Sequence, residues 1–329
     1  MYKLTIAVLT YNRSHYLKQM LDSILTQTYK DFIVVIYDNC SNDDTTDTVE
    51  PYLSDKRFSY YRQNTMSDNF NYALKHCNTE YLLIVHDDDT MLPNMIKEEI
   101  EILEANNDVS MVWTNTNHID AENNVTKTSV SSQVMNNEDY IVQTREYYKL
   151  FINIGNTICF PTVMFRMSVI QSNNLYFRNN VGKARDCYMW LELNQFNYKF
   201  YYINNALYNY RIHKNQDSNN TLFMLPLLRK PVYDLLVKNK YSSHTIFSWL
   251  HFVNNEIILE ISKQKNVKES FDAIKDSIFI YSKKDIFLRI RLYFLLKFPA
   301  CFKSTLLLMN KVKKILPKSI KRQIKKIFL

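Results

Sequence analysis

The chain has 329 residues, 46% hydrophobic and 22% charged, which is enough apolar material for one large or two ordinary globular domains and excludes a disordered or fibrous protein. Only two glycines occur, Gly155 and Gly182, so neither a G-x-G-x-x-G dinucleotide loop nor a P-loop can be written anywhere. The formal net charge of +8 is unevenly placed, because residues 281–329 hold 14 of the 41 lysines and arginines and a single acid, Asp285.

In chain order, residues 3–9 read as a first core strand. The apolar run is too short for a secretory leader, and no small-residue cleavage site follows it. Next, Tyr16, Leu17, Met20, Leu21, Ile24 and Leu25 recur at helical spacing, with Ser14 as the candidate N-cap. Further strands are predicted near 32–37, 58–62, 80–86 and 109–114. Residues 41–44 resemble a capping box that opens a helix, and Pro93 suits the first turn of another running to about Ala105. Residues 117–140 are polar and read as a surface excursion, 141–215 mix helix and strand, and a helical region begins near Thr221. Alternating strands and helices predict an α/β domain with a mostly parallel sheet.

No stretch of 18 or more apolar residues lacks charges, so no spanning helix is expected. The basic end instead spaces Val312, Ile315, Leu316, Ile320, Ile324, Ile327 and Phe328 among its lysines at the step of an amphipathic helix. Such a helix is suited to lie on an anionic membrane surface, each cation adding about 1 kcal/mol. The competing readings are a helix packed on its own domain and a face that pairs two chains. Nucleic acid is not the expected partner. Five widely spaced cysteines (Cys40, Cys77, Cys159, Cys187, Cys301) contain no C-x-x-C and fit a reducing cytosol better than a disulfide framework or a zinc site. The expected location is therefore cytoplasmic, peripheral on the inner face of the cell membrane.

Open α/β sheets bind ligands at the carboxyl ends of their strands. Three polar segments follow apolar runs there: Thr10, Tyr11, Asn12 and Arg13; Asp38, Asn39, Cys40 and Ser41; and His86, Asp87, Asp88 and Asp89. Three consecutive carboxylates at the end of a buried strand repel one another unless a cation neutralises them. Strand alternation would turn Asp87 and Asp89 the same way, and their oxygens suit a hard ion such as Mn2+ or Mg2+ able to bridge a diphosphate.

These segments, with Asn64 and Pro93, resemble the inverting family 2 glycosyltransferases of GT-A fold over roughly residues 3–215. The resemblance implies a GT-A (Rossmann-like, with a mixed, mostly parallel sheet) catalytic domain over 1–217 and a helical C-terminal region from 218, with the basic tail from about 281. It further implies a nucleoside-diphosphate sugar donor, most readily a UDP-sugar, and a hydroxyl of a glycan acceptor. Thr10, Tyr11, Asn12, Arg13, Asp38 and Asn64 would hold the nucleotide, Asp87 its ribose side, Asp88 the donor, and Asp89 the metal. Arg185, Asp186, Cys187, Tyr188, Met189 and Trp190 match the segment carrying the catalytic base, which would be Asp186. Tyr210, Arg211, Ile212, His213 and Lys214 match the segment over the diphosphate, with His213 a further metal ligand and Arg211 and Lys214 offsetting charge.

Three departures stand out. Arg185 occupies the place of an acid before the base, Cys40 replaces a glycine, and no glycine occurs at Thr65 and Met66. The membrane-suited tail points to a lipid-linked acceptor in surface polysaccharide or lipo-oligosaccharide synthesis. The alternative is a non-catalytic carbohydrate or membrane-binding protein on a decayed GT-A fold.

Overall fold

The computed structural model describes residues 2–131, 135–154, 156–213 and 224–279, together with Tyr293 and residues 295–297. Lys214 and nearly all of the basic tail lie outside the described residues. Two compact units are present, one of residues 1–178 with 189–216, the other of 179–188 with the chain from 217 onward.

The first unit opens with β1 (Leu4–Thr10), α1 (Ser14–Leu25), β2 (Phe32–Asp38) and α2 (Thr45–Val49). Then come β3 (Phe58–Arg62), α3 (Asn69–His76), β4 (Tyr81–His86), the two-residue β5 (Thr90–Met91) and α4 (Met95–Ala105). A long β6 (Val109–Ile119) is followed by β7 (Val125–Lys127), β8 (Tyr140–Val142) and α5 (Tyr147–Ile154). The unit continues through β9 (Met164–Arg166), α6 (Met167–Ser172), the later turns of α7 (Arg185–Leu193) and β10 (Lys199–Arg211).

β1 is an almost uninterrupted apolar run because it is covered on both faces, as the centre of a parallel sheet requires. It pairs in parallel with β2 and β4, so Thr10 stands beside Asp38 and Leu9 beside His86. This register brings the ends of three strands, and the polar residues after them, to one edge. The path runs β3-β2-β1-β4-β9-β6-β10-β5, with β9 antiparallel to both β4 and β6. The sheet is therefore mixed, and the reversed strand is a three-residue piece that periodicity is too short to reveal.

Helix starts differ slightly from the sequence reading. Ser14 is the first residue of α1 and Arg13 is its cap. Asp43 does the tying that a capping residue would do, accepting the Ser14 N–H at 2.9 Å and the Thr45 hydroxyl. Pro93 lies two residues ahead of α4, whose cap is Asn94.

One buried residue runs against the pattern. Glu99 of α4 is fully buried, and neither of its carboxyl oxygens has a hydrogen-bond partner among the described residues. Burial, reinforced by Glu98, holds its pKa well above the ordinary glutamate value. The folded state thus keeps a proton that the unfolded chain releases above about pH 4.3, so stability falls as pH rises, by about 1.4 kcal/mol per unit, until the folded pKa is passed. Glu99→Leu is expected to raise the melting temperature, and the gain should be larger at pH 8 than at pH 5. An equal melting temperature for the two proteins at pH 8 would count against the buried acid as a source of instability.

The second unit is helical: α8 (Met224–Lys238), α9 (Ser243–Lys263) and α10 (Val267–Phe279). Leu228, Val232 and Leu236 of α8 and Trp249, Val253, Ile257 and Ile261 of α9 form its buried seam, at the three-to-four residue spacing of facing helices. Ser242 caps α9 by accepting the Thr245 N–H at 3.2 Å. Gly182 also belongs to this unit. It stands at φ 54° and ψ −132°, and an added Cβ would meet the Leu227 side chain at 2.9 Å. The backbone there favours glycine whatever the side chain does.

Candidate active site

The strand ends are knitted together by short polar side chains. Asp38, the last residue of β2, is fully buried. Its Oδ1 accepts the Ser41 N–H at 2.9 Å and its Oδ2 accepts the Tyr60 hydroxyl at 2.6 Å, with Arg62 Nε at 3.5 Å. Asn12 has φ 51° and crosses to the same loop: its N–H donates to Ser41 Oγ, and its Oδ1 accepts the Asn42 N–H at 2.8 Å. Asparagine tolerates this left-handed conformation. Cys40 adopts it too, at φ 67°, so the place of the missing glycine does require positive φ. Neither Thr65 nor Met66 has a positive φ, and that loop needs no glycine. Asn64 is exposed, and its main-chain oxygen accepts from Cys40 Sγ at 3.5 Å.

The acidic triplet follows β4. The alternation expected to turn Asp87 and Asp89 the same way stops at His86, where the strand ends and the chain turns. Asp87 faces the β1 loop instead, its Oδ2 accepting the Tyr11 N–H at 3.2 Å and its Oδ1 accepting from Arg13 at 3.1 Å. The same Arg13 nitrogen donates to Asp88 Oδ2 at 2.8 Å, and His213 Nε2 lies 2.9 Å from that oxygen. Asp89 is 1% exposed, with Oδ1 accepting the Arg211 N–H at 2.8 Å and Oδ2 accepting the Tyr208 hydroxyl at 3.0 Å.

The three carboxyls titrate differently because their surroundings differ. Burial raises Asp87 to about 6, Asp88 adding to the rise and Arg13 opposing it. Burial also pushes Asp88 up, but His86, Arg13 and His213 outweigh it together and hold the group below the usual range. Asp89 stands well above the usual carboxylate range through burial and the neighbouring Asp88. A cation placed among them would relieve that cost. His86, Asp88 and Asp89 fit one: each brings a ligand atom within 4.8 Å of the other two. Imidazole with carboxylates suits a first-row divalent ion.

Arg211 ends β10 and is fully buried. Its guanidinium donates to the carbonyls of Asp88 at 2.5 Å and Asp120 at 2.8 Å and to the side chains of Gln19 and Asn123, and it lies 4.5 Å from the Tyr16 ring centroid. It is placed as a scaffold beneath the acidic turn, with its charge directed at the protein's own carbonyls.

The structure thus gathers Thr10, Tyr11, Asn12, Arg13, Asp38, Asp87, Asp88, Asp89, Arg211 and His213 at one edge of the sheet. Asp186 belongs to the second unit, in the first turn of α7, half-buried with its Oδ1 enclosed and, among the described residues, without a hydrogen-bond partner. Burial raises its pKa, while the Cys187 N–H and Arg185 work the other way. His86, Tyr60, Arg62 and Tyr208 were not singled out by sequence as site residues. His86 carried a visible signal, standing between the apolar run and the triplet. The other three arrive through strand register, which periodicity does not give.

Comparison with known proteins identifies the family. The profile of the family described as "Glycosyl transferase family 2" matches residues 5–172. An uncharacterized glycosyltransferase of Rickettsia bellii is 24% identical over 79% of this chain and 34% of its own length. Poly(ribitol-phosphate) beta-N-acetylglucosaminyltransferase TarS of Staphylococcus aureus is 26% identical over 56% of this chain and 31% of its own. The chain spans about a third of the length of several such curated relatives, although it covers 70% of an uncharacterized glycosyltransferase of Methanocaldococcus jannaschii. Among solved structures, S. aureus TarS 1–349 in complex with UDP-GlcNAc superposes with TM-score 0.65 at 18% identity, covering 84% of this chain and 80% of that one. A Pyrobaculum calidifontis mannosyltransferase in complex with GDP-Man and Mn2+ gives TM-score 0.54 at 14% identity, covering 90% and 86%. With the family profile spanning half of its residues and its sheet folded as in these GT-A enzymes, this chain belongs to glycosyl transferase family 2.

Proposed function

We propose that the chain transfers a sugar, with inversion, from a nucleoside-diphosphate sugar to a hydroxyl of a glycan acceptor. The observation that carries this reading is the convergence of the Thr10–Arg13 loop, Asp38 and the buried triplet at the ends of β1, β2 and β4. A UDP-sugar is the favoured donor, because two TarS structures are complexes with UDP and UDP-GlcNAc. Asp38, Asn64 and the β1 loop are assigned to the nucleotide, Asp87 to its ribose side, Asp88 to the donor, and Lys214 to the donor phosphates. Arg211 acts on those phosphates through the Asp88 turn that it holds.

Asp89 and His213 are assigned to a divalent cation, Mn2+ or Mg2+, which when bound offsets charge on the diphosphate. Asp186 is assigned as the base that takes the acceptor's proton as the new bond forms. A carboxyl held above its ordinary pKa by burial suits that task. One base and no protein nucleophile give inversion.

The acceptor is proposed to be lipid-linked, in surface polysaccharide or lipo-oligosaccharide synthesis, with the protein cytoplasmic and docked on the inner membrane face through residues 281–329. No described helix is long and apolar enough to cross a membrane. The 14 basic residues of that segment support the docking. Removal of the chain beyond Ser282 is expected to abolish cosedimentation with anionic vesicles while donor hydrolysis persists, and unchanged cosedimentation would overturn the docking role.

The donor site is tested by thermal shift with a panel of nucleoside diphosphates, with and without Mn2+. One nucleotide should raise the melting temperature in a metal-dependent way, and Asp89→Ala should lose the shift. If no nucleotide stabilises the wild type, the transferase reading fails in favour of a binding protein on this fold.

A further inference from the structure

We propose that His86 is a nitrogen ligand to the divalent cation of the acidic turn, and that it biases this site toward Mn2+ over Mg2+. The inference rests on the metal-dependent reading above and deepens it.

His86 is the last residue of β4, fixed in register against Leu9 of the central strand. Its ring is held on two sides. Phe160 stacks on it, with centroids 5.6 Å apart and planes 28° from parallel, and Phe70 meets it edge-on at 6.1 Å. Phe160 is itself packed against Phe177 and Trp190, so the wall behind the imidazole is rigid core. A ligand held this way gives up little rotamer freedom when a metal binds.

The chain turns after His86, and that turn decides the donor set. Continued extension would have paired residues 87 and 89, whereas the bend brings together residues 86, 88 and 89. Asp88 takes both its Arg13 and its His213 contacts on Oδ2, which leaves Oδ1 for a cation. Each oxygen of Asp89 accepts one hydrogen bond and retains a lone pair. At 5% and 1% exposure these two carboxyls have little water to spread their charge, and a third donor of oxygen or nitrogen completes one face of a coordination sphere.

That third donor sets the preference. Mg2+ demands oxygen ligands in near-ideal octahedral geometry and dehydrates reluctantly, while affinity for imidazole rises along the first transition row. The competing role for His86 is that of a protonated counter-ion to Asp88, in which case it would repel a cation and show no bond to it.

The test uses the intact chain with Mn2+ and UDP, read by pulsed electron paramagnetic resonance for ¹⁴N coupling and by titration of Mn2+ and Mg2+. With His213 assigned to the same cation, the expected result is ¹⁴N coupling from two rings in the wild type, coupling from one ring in each of His86→Gln, His86→Leu and His213→Gln, and none in the double variant His86→Gln/His213→Gln. The ratio of Mn2+ to Mg2+ affinity should fall by at least about tenfold in the His86 variants, the low end of what a metal's protein surroundings contribute. Mn2+ bound by the wild type without ¹⁴N coupling, coupling in His86→Gln undiminished from the wild type, or an unchanged affinity ratio overturns the proposal while leaving the metal site standing. A wild type that binds no Mn2+ with UDP removes the metal reading as well.

Discussion

Asp186→Asn is expected to lower turnover by roughly 10²–10⁴-fold, the worth of a positioned general base, with little change in donor affinity. The amide keeps the size of the side chain and cannot take a proton from the acceptor. Asp186 sits in the first turn of α7, where the helix dipole and the Cys187 N–H both favour the charged form, yet burial holds its pKa above the ordinary value. Steady-state kinetics with a donor identified by thermal shift provides the check. A loss confined to KM would assign Asp186 to binding, and unchanged kinetics would remove it from the reaction. Because the base acts only in the transition state, kcat and kcat/KM should fall together.

Arg211→Ala is expected to cost about 3–5 kcal/mol of stability, at the upper end for a single substitution. The size follows from what the guanidinium leaves behind. The carbonyls of Asp88, Asp120 and Ala121 and the side-chain oxygens of Gln19 and Asn123 would lose their donor, and the Tyr16 ring its cation. Buried acceptors without partners each cost about 1–3 kcal/mol, partly recovered if water enters. Arg211→Lys should recover only part of the loss, since an ammonium cannot reproduce a planar fork of five donors. Urea unfolding measures both variants. A midpoint for Arg211→Ala within error of the wild type would show that the buried network contributes little. The same substitution should weaken nucleotide binding, because the Asp88 carbonyl is anchored from below by this side chain.

Much of this was legible in the sequence, and the limits are physical. β1, β2, β4 and the start of β6 announce themselves because strands buried on both faces are apolar runs bounded by polar loops, whereas β3, also predicted, is mostly exposed. β9 does not, since three residues carry no period and its place between β4 and β6 is fixed by pairing with residues far away in sequence. The acidic triplet was visible as a cost that needed a reason. Its orientation was not, because the strand ends one residue before it and alternation no longer applies. Arg211 could be read only as a cation near a phosphate segment. Its burial depends on Gln19, Asn123 and Tyr16, none of which lies near it in the chain. Lys214 and most of the basic tail lie outside the described residues, so the structure adds nothing to those two expectations.

The pairing of β10 has a further consequence, for the order in which the molecule is made. Residues 4–86 can form the β3-β2-β1-β4 half of the sheet from contacts within the first quarter of the chain. The Tyr208 hydroxyl and the Arg211 N–H that seat Asp89 arrive more than a hundred residues later. Long-range pairing of this kind closes slowly, because the entropy of a large loop is lost before any contact repays it. During synthesis the loops after β1 and β2 therefore take shape first and the acidic turn last. A nascent chain that ends before β10 can hold Asp87 and Asp88 through Arg13 but carries Asp89 without the two donors that seat it, and gains them only when the strand that closes the sheet has emerged.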